Sequence, residues 1–257
     1  MTNHRAPDPA PPSCAEQLRR RDRDRYLTAL FAPAGRRGAL LALYAVNLAL
    51  AEVRARVSEP LLGEVRLQWW RDTIEAIYHG KAVRGPEAAQ ALAATLDAAA
   101  IPQALFERLI DARIAALYEP AASDPPYADE AEAGGALGEL ALAVVLGAPG
   151  DDAVRTAADH VGRARALAGL AGDAARPLAT DQRRALATRA QAHLDRAREH
   201  APRIARPALA PFLLAPLAES DIACLKRAAF EPARAAFQRA ALGRQIRLWW
   251  AAARAIY

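Results

Sequence analysis

Residues 38–80, GALLALYAVNLALAEVRARVSEPLLGEVRLQWWRDTIEAIYHG, read as two long helices joined at Ser58-Glu59-Pro60, with the rest of the chain laid out to pack around them. In the first, Leu40, Leu41, Tyr44, Leu48, Ala51 and Ala55 recur at three and four, the spacing of a helix with one buried face. In the second, Leu67, Trp70, Ile74 and Ile77 do the same, and Arg71 and Glu75 have the spacing of an outward i,i+4 pair. Ser58 has the chemistry of an N-cap, because its hydroxyl can accept a free backbone N–H, while Pro60 in the first turn forfeits no hydrogen bond. Gly80 is placed to end the second helix.

The composition, 257 residues with 53% hydrophobic and 25% charged, is that of an ordinary globular protein able to bury a substantial core. A formal charge of +5 and a pI of about 9.6 invite nucleic acid or an anionic membrane as partner. Arginines, however, alternate with acids along helical faces, as in Asp22-Arg23-Asp24-Arg25 and Asp195-Arg196-Ala197-Arg198-Glu199, which is the pattern of a solvated face; only Arg19 to Arg21 is an uninterrupted basic run. With no aromatic-studded basic strand and no zinc spacing, nucleic acid is not an expected partner. The five histidines show no i,i+3 or i,i+4 pairing, so no histidine metal site is expected, and Cys14 and Cys224 lack a His or CxxC partner. Neither cysteine is expected in a disulfide, which suits a reducing, cytoplasmic setting. Residues 1–12 are Pro-rich without an apolar core and read as a disordered lead before one helical domain over 13–257. The run from Gly38 to Ala51 is bounded by Arg37 and Glu52 and interrupted by Asn47, short of the roughly 20 apolar residues of a membrane span, so no transmembrane segment is expected.

Along the chain, Ser13-Cys14-Ala15-Glu16 is a capping-box pattern that starts a helix running toward Arg21 and on through Tyr26 and Phe31. Gly85-Pro86 and Ile101-Pro102 open two more helices, Pro120 to Pro126 reads as a loop, and a helix through Leu137, Leu140 and Val144 ends at Gly147. Asp151 or Asp152 caps the next, Thr180 caps an amphipathic helix to His200, and two last helices fall within Asp221 to Arg227 and Pro232 to Ile256, after a Pro-spaced stretch from Pro202 to Pro216. Hardly any window alternates with period two, which points to an all-α bundle.

Several strings, in this order, resemble the squalene/phytoene synthase family, all-α enzymes of the isoprenoid synthase type that join two prenyl diphosphates head to head. The resemblance runs from about Cys14 to Tyr257. Tyr44-Ala45-Val46-Asn47-Leu48 stands where the family has Tyr-Ala-Phe-Cys-Arg, and Ala51-Glu52-Val53-Arg54-Ala55 where its first Asp-Asp-x-x-Asp motif falls. Val161-Gly162-Arg163-Ala164-Arg165-Ala166-Leu167 aligns with the string before the second acidic motif, which becomes Asp173-Ala174-Ala175-Arg176-Pro177. The helix with Tyr127, Ala133-Gly134-Gly135 and Leu137-Gly138, and the small-residue stripe Gly162, Ala166 and Gly169, match the family's scaffold. Such motifs need carboxylates at i and i+3 or i+4, since only that spacing aims both at the Mg²⁺ ions that neutralise a diphosphate. Here Glu52 and Asp173 alone remain as vestigial positions, Glu52 with Arg56 four residues on as an ion-pair partner, so no metal and no cofactor are expected unless the chain is active.

A closer match is to the branch containing the mitochondrial complex I assembly factor and its bacterial relatives, carried by Arg21-Asp22 with Tyr26-Leu27, Val57-Ser58-Glu59, Arg66-Leu67-Gln68-Trp69-Trp70-Arg71 and Gln245-Ile246-Arg247-Leu248-Trp249-Trp250. That branch implies a catalytically silent protein binding a partner, a complex I subunit, in the cytoplasm at the inner membrane. Tyr44, Asn47, Arg54, Ser58, Glu59, Gln68, Trp69 and Arg71 are then the binding candidates. The alternative is an active prenyltransferase using Mg²⁺ with Glu52, Asp173 and Asp159 or Glu139; a third reading is an isoprenoid or lipid binder. If the register holds, Glu52 and Asp173 face one cavity. Each tryptophan pair is expected to put one indole in the core and leave one near the surface.

Overall fold

The computed structural model describes residues 13–118, 127–201, 204–234, 241–254 and 257. Among these there is no strand, and helices follow one another through short connections: α1 (Cys14–Arg21), α2 (Arg23–Ala29), α3 (Ala34–Arg56), α4 (Pro60–Tyr78), α5 (Glu87–Thr95) and α6 (Gln103–Tyr118). Then come α7 (Ala128–Leu146), α8 (Asp152–Gly172), α9 (Thr180–His200), a 3₁₀ turn (Arg206–Ala208), α10 (Leu209–Phe212), α11 (Leu214–Arg227) and α12 (Ala241–Arg254). The expected disordered lead and the Pro120 to Pro126 loop lie outside the described residues.

The ends of these helices follow local chemistry, with some shifts from expectation. Ser13 caps α1, accepting from the Glu16 N–H at 3.3 Å. The helix does not continue to Phe31: the Asp22 carboxylate accepts from the Arg25 N–H at 3.3 Å and from its guanidinium at 2.6 Å, which ends α1 and caps α2. Ser58 is not the cap of α4. Glu59 holds that position in an extended conformation without a side-chain bond, because a residue before proline is kept out of the helical region. Thr180 likewise is the first helical residue rather than the cap, and Gln182 reaches back to the Ala179 N–H at 2.9 Å. Asp151 caps α8, and Gly147 closes α7 at φ 70°, a left-handed backbone that costs glycine nothing. α11 starts at Leu214, well before Asp221, since Pro216 falls in its first turn where no N–H is needed.

Two hydrophobic clusters make the interior. One gathers Leu40, Leu43, Tyr44, Leu67, Trp70, Ile74, Leu92, Phe106, Leu109 and Leu140 from α3 to α7. The other gathers Leu142, Val161, Leu167, Leu186, Leu194, Phe212 and Leu225 from α7 to α11. α7 feeds both. α3 runs between α1, α5 and α7, so its burial extends almost all round from Ala39 to Asn47; Ala51 and Ala55, expected inside, are exposed, and Leu50 and Val53 are buried instead. α4 buries Leu67, Trp70, Ile74 and Ile77 as its periodicity predicts. Arg71 does not pair with Glu75; it reaches across to Glu107 at 3.5 Å and to Asp111 on α6, while Glu75 meets His79 at 3.6 Å.

Two further expectations change. Asp22 to Arg25 is no solvated face: Asp24 is buried and held by Arg165 of α8 at 2.7 Å and by Arg244 of α12. Ala34–Arg56 and Arg206–Arg227 are each long and apolar enough to cross a membrane by length and composition, contrary to the expectation that none is, but 56% and 78% of their apolar windows are buried inside the fold. Core packing accounts for that composition.

Candidate functional site

α3 presents Asn47, Leu48 and Ala51 toward a cavity of about 310 Å³ closed by α6, α7, α8 and the α1–α2 corner. Five arginines, Arg21, Arg25, Arg113, Arg165 and Arg176, line it against three carboxylates, Asp22, Glu130 and Asp173. Arg25 is bound by Asp22 at 2.6 Å, and Arg113 by Glu130 at 2.5 Å and by the Asn47 side-chain oxygen at 3.1 Å. Burial pulls the Arg113 guanidinium below its ordinary pKa, and Arg25 and Arg176 add to the pull while Glu130 opposes it. The Nε atoms of Arg25, Arg113 and Arg165 are buried without a hydrogen-bond partner. Arg176 also lies 5.6 Å over the ring of Tyr127, at the start of α7. The space is electropositive and built for an anionic or hydrogen-bond-accepting occupant rather than for a cation.

Glu52 opens elsewhere. It lines a cleft of about 420 Å³ with Arg56, Arg66, Trp69 and Trp70, whereas Asp173 lines the central cavity and an adjoining one of about 480 Å³ holding Asp24, Asp221 and Arg244. Arg21 lines all three, and Glu52 and Asp173 share none of them. Glu52 is engaged by Arg21 and, at 2.5 Å, by Arg56. Asp173 accepts from the Ala175 N–H at 2.9 Å and lies 3.6 Å from Arg176. These donors do not fit a Mg²⁺ ion, which needs several oxygens converging in a near-octahedral shell. Among the described residues no group of three His, Cys, Asp or Glu side chains is placed to hold a metal ion.

The carboxylates available to an active alternative are also committed. Asp159 accepts from Arg108 and Arg163 at 2.6 Å each, and Glu132 and Glu139 complete the same cluster between α6, α7 and α8. Burial pushes Asp159 up, but the hydrogen bonds from Arg163 and Arg108 outweigh it and hold the carboxyl below its ordinary value.

The expected binding residues divide among three places. Tyr44 and Asn47 are buried at the core and cavity wall, with the Arg25 guanidinium 5.8 Å over the Tyr44 ring; Arg54 is half-buried with one guanidinium nitrogen lacking a partner. Arg71 is taken up by the α4–α6 contact. Ser58, Glu59, Gln68 and Trp69 lie on the open side of α4, where Gln68 donates to Asp72 at 2.9 Å and Trp69, 40% exposed, sits edge-on to Trp70 at 5.1 Å. The sequence reading missed Leu61, Leu62 and Val65, which are exposed beside them. Leu61, Val65 and Trp69 fall at i, i+4 and i+8, a second stripe that was visible in the sequence behind the buried one. The Trp69–Trp70 pair divides as expected, one in and one out, but Trp249 and Trp250 are both exposed.

The family model described as squalene/phytoene synthase matches residues 18–182. A human protein named "NADH dehydrogenase (ubiquinone) complex I, assembly factor 6" is 46% identical over 65 residues, and its bovine counterpart 43% over the same length. Each match covers 25% of this chain and 20% of the relative. Among solved structures, a dehydrosqualene synthase in complex with ligand superposes with a TM-score of 0.72 at 14% identity, over 94% of both chains. Squalene synthase HpnC from Alicyclobacillus acidocaldarius gives 0.67 at 19% identity, over 85% of this chain and 94% of its own. At those identities the structures speak for the fold alone; the family model, which matches well over half of the chain, establishes that this chain belongs to the squalene/phytoene synthase family.

Proposed function

We propose that this chain is a catalytically silent member of the family that binds a protein partner during assembly of respiratory complex I, in the cytoplasm against the membrane that houses the complex, without a cofactor. The observation that carries the silent half is the state of the two surviving motif carboxylates: Glu52 is clamped by Arg21 and Arg56, Asp173 lies beside Arg176, and they open into separate spaces. Arginines occupy the ground where a metal-bridged diphosphate would need acids. The relatives named as complex I assembly factors support the partner half. The outer face of α4 suits such a partner, since Leu61, Leu62, Val65 and Trp69 form an exposed apolar stripe among Glu59, Arg66, Gln68 and Asp72.

Two measurements test the reading. Purified protein given farnesyl or geranylgeranyl diphosphate with Mg²⁺ is expected to release no diphosphate above a no-protein blank. Release above it overturns the silent reading and restores head-to-head prenyl transfer. A pull-down from native membranes is expected to recover a complex I subunit, and recovery of none overturns the assembly reading.

A further inference from the structure

α12 is apolar on its outer side as well as on its inner one. Its inner face is narrow: Leu248 is buried against Leu209, Leu213 and Leu217, and Ala251 and Ala252 rest beside it. Arg244 anchors one end by donating to Asp24 at 3.0 Å and to Asp221 at 2.5 Å. Beyond the other end, the Tyr257 hydroxyl donates to the Ala197 carbonyl at 2.9 Å, and the Tyr257 carbonyl accepts from Arg198 at 3.0 Å. The helix is thus held at fixed orientation, and that orientation leaves Ile246, Trp249 and Trp250 at 57%, 66% and 52% exposure. At 100° per residue these three lie away from Leu248. Leu30 and Phe31, at the end of α2, are exposed next to them, and a groove of about 440 Å³ lined by Leu27, Phe31, Ile246 and Trp249 joins the two elements.

The charge beside this patch selects the occupant. α12 contains no Asp or Glu. Arg247 and Arg254 are exposed along one edge of the apolar face, with the Arg254 guanidinium stacked 3.2 Å from the centre of the Trp250 ring. The α4 stripe, by contrast, is interspersed with acids, bases and an amide, as a protein interface is. Glu219 of α11 lines a groove on the arginine side but is paired with Arg198 at 2.7 Å. Indoles at the level of an apolar stripe, with arginines at its margin, match the layered chemistry of a lipid surface: acyl boundary for the rings, phosphate for the guanidiniums.

We propose that α12, with the Leu30–Phe31 edge of α2, docks on an anionic lipid bilayer, lying in the headgroup layer with Ile246, Trp249 and Trp250 inserted and Arg247 and Arg254 on lipid phosphates. This rests on the membrane placement proposed above and names its surface and its lipid; it does not depend on the protein partner, since vesicle sedimentation and partner recovery fail separately. The test is co-sedimentation of the full chain with vesicles of phosphatidylcholine alone or mixed with phosphatidylglycerol, at low salt. The wild type is expected to pellet with the anionic vesicles and not the neutral ones. Trp249→Ala/Trp250→Ala is expected to lower the bound fraction at least about tenfold with an unchanged melting curve, as the indoles are exposed. Arg247→Glu/Arg254→Glu is expected to remove the preference for anionic lipid. Trp69→Ala, on α4, is expected to pellet as the wild type does. The proposal is overturned if the wild type stays in the supernatant with anionic vesicles, or if both α12 variants pellet undiminished. It is equally overturned if Trp69→Ala alone releases the protein, or if the wild type sediments as a dimer that the tryptophan variant dissolves, which would assign the patch to a second copy.

Discussion

At Gly162 a methyl group would fall on the Gly134 carbonyl oxygen, and at Gly138 on that of Ala158, so α7 and α8 approach to backbone contact. Gly162→Ala must therefore push the helices apart or strain them, and is expected to destabilise by about 3 kcal/mol in chemical denaturation. Gly169, on the same helix, meets only the tip of Arg165 at 3.4 Å. Gly169→Ala is expected to stabilise by about 0.5–1 kcal/mol, the ordinary helix preference; two changes of the same sign would refute the close packing. A second residue-level consequence concerns Arg244. Burial pushes the Asp24 carboxyl up, but Arg165 and Arg244 hold it below its ordinary value, so Arg244→Ala removes one of the two arginines that face buried Asp24 and Asp221 and leaves Arg165, at 2.7 and 3.6 Å, to serve both. A loss of about 3 kcal/mol is expected on thermal or chemical unfolding. Gly162 and Ala166 of the small-residue stripe meet α7 as their spacing suggests, whereas Gly169, expected in the same stripe, is exposed and takes no part in the close approach. The Asp24 network could not be read from the sequence: its partners lie on α8, α11 and α12, and alternating charge near the N-terminus looks the same whether a helix faces water or the core.

At the scale of elements, local rules worked where local forces act alone. The 3.6-residue period located the inner face of α4, and Asp151 and Gly147 stand at the ends of their helices as their chemistry requires. The misjudged starts of α4 and α9 were each one residue out, because Pro60 fixes its predecessor and because Gln182, by binding the Ala179 N–H, takes Thr180 into the helix as its first residue. Less legible was which side of an element stays open, since that is decided by neighbours distant in sequence. α4 carries apolar stripes on both faces, and α6 covers one of them. The adjacent indoles of α4 make this testable. Trp70 is buried, so Trp70→Ala is expected to cost about 3–5 kcal/mol of stability. Trp69→Ala is expected to melt within a few degrees of wild type while weakening recovery of the membrane partner about tenfold, equivalent to about 1.4 kcal/mol. If Trp69→Ala unfolds the chain, Trp69 belongs to the core; if it melts normally and recovers the partner fully, the outer face of α4 is not the binding surface.

For the molecule as a whole, pairings between distant helices decide properties that no sequence window displays. His160 and His193 share no helical spacing, yet α8 and α9 bring their Nδ1 atoms to 3.0 Å, with the His200 ring 5.9 Å from that of His160. At that separation one ring can donate and the other accept, but both cannot be protonated together. Burial, then His160, then Arg163 and Arg196 push His193 from 6.5 down to about 4, with Asp159 opposing only weakly; burial also lowers His160 despite Asp159, and His200 adds to that. In the unfolded chain these imidazoles titrate near the ordinary value. Between about pH 6.5 and 4 the unfolded state therefore binds protons that the folded state refuses, and stability present above that window is lost as the pH falls through it. The carboxylates held low by arginines, Asp24, Glu132 and Asp159, lose their contribution only nearer the ordinary carboxylate range, so the loss between pH 7 and 5 belongs to the histidines. The expected result is a melting temperature that declines steadily from pH 7 to pH 5, and a shallower decline for His193→Gln, which keeps a polar side chain but takes up no proton. A melting temperature that rises on acidification, or a His193→Gln variant with the wild-type slope, would show that the pair does not govern stability in this range.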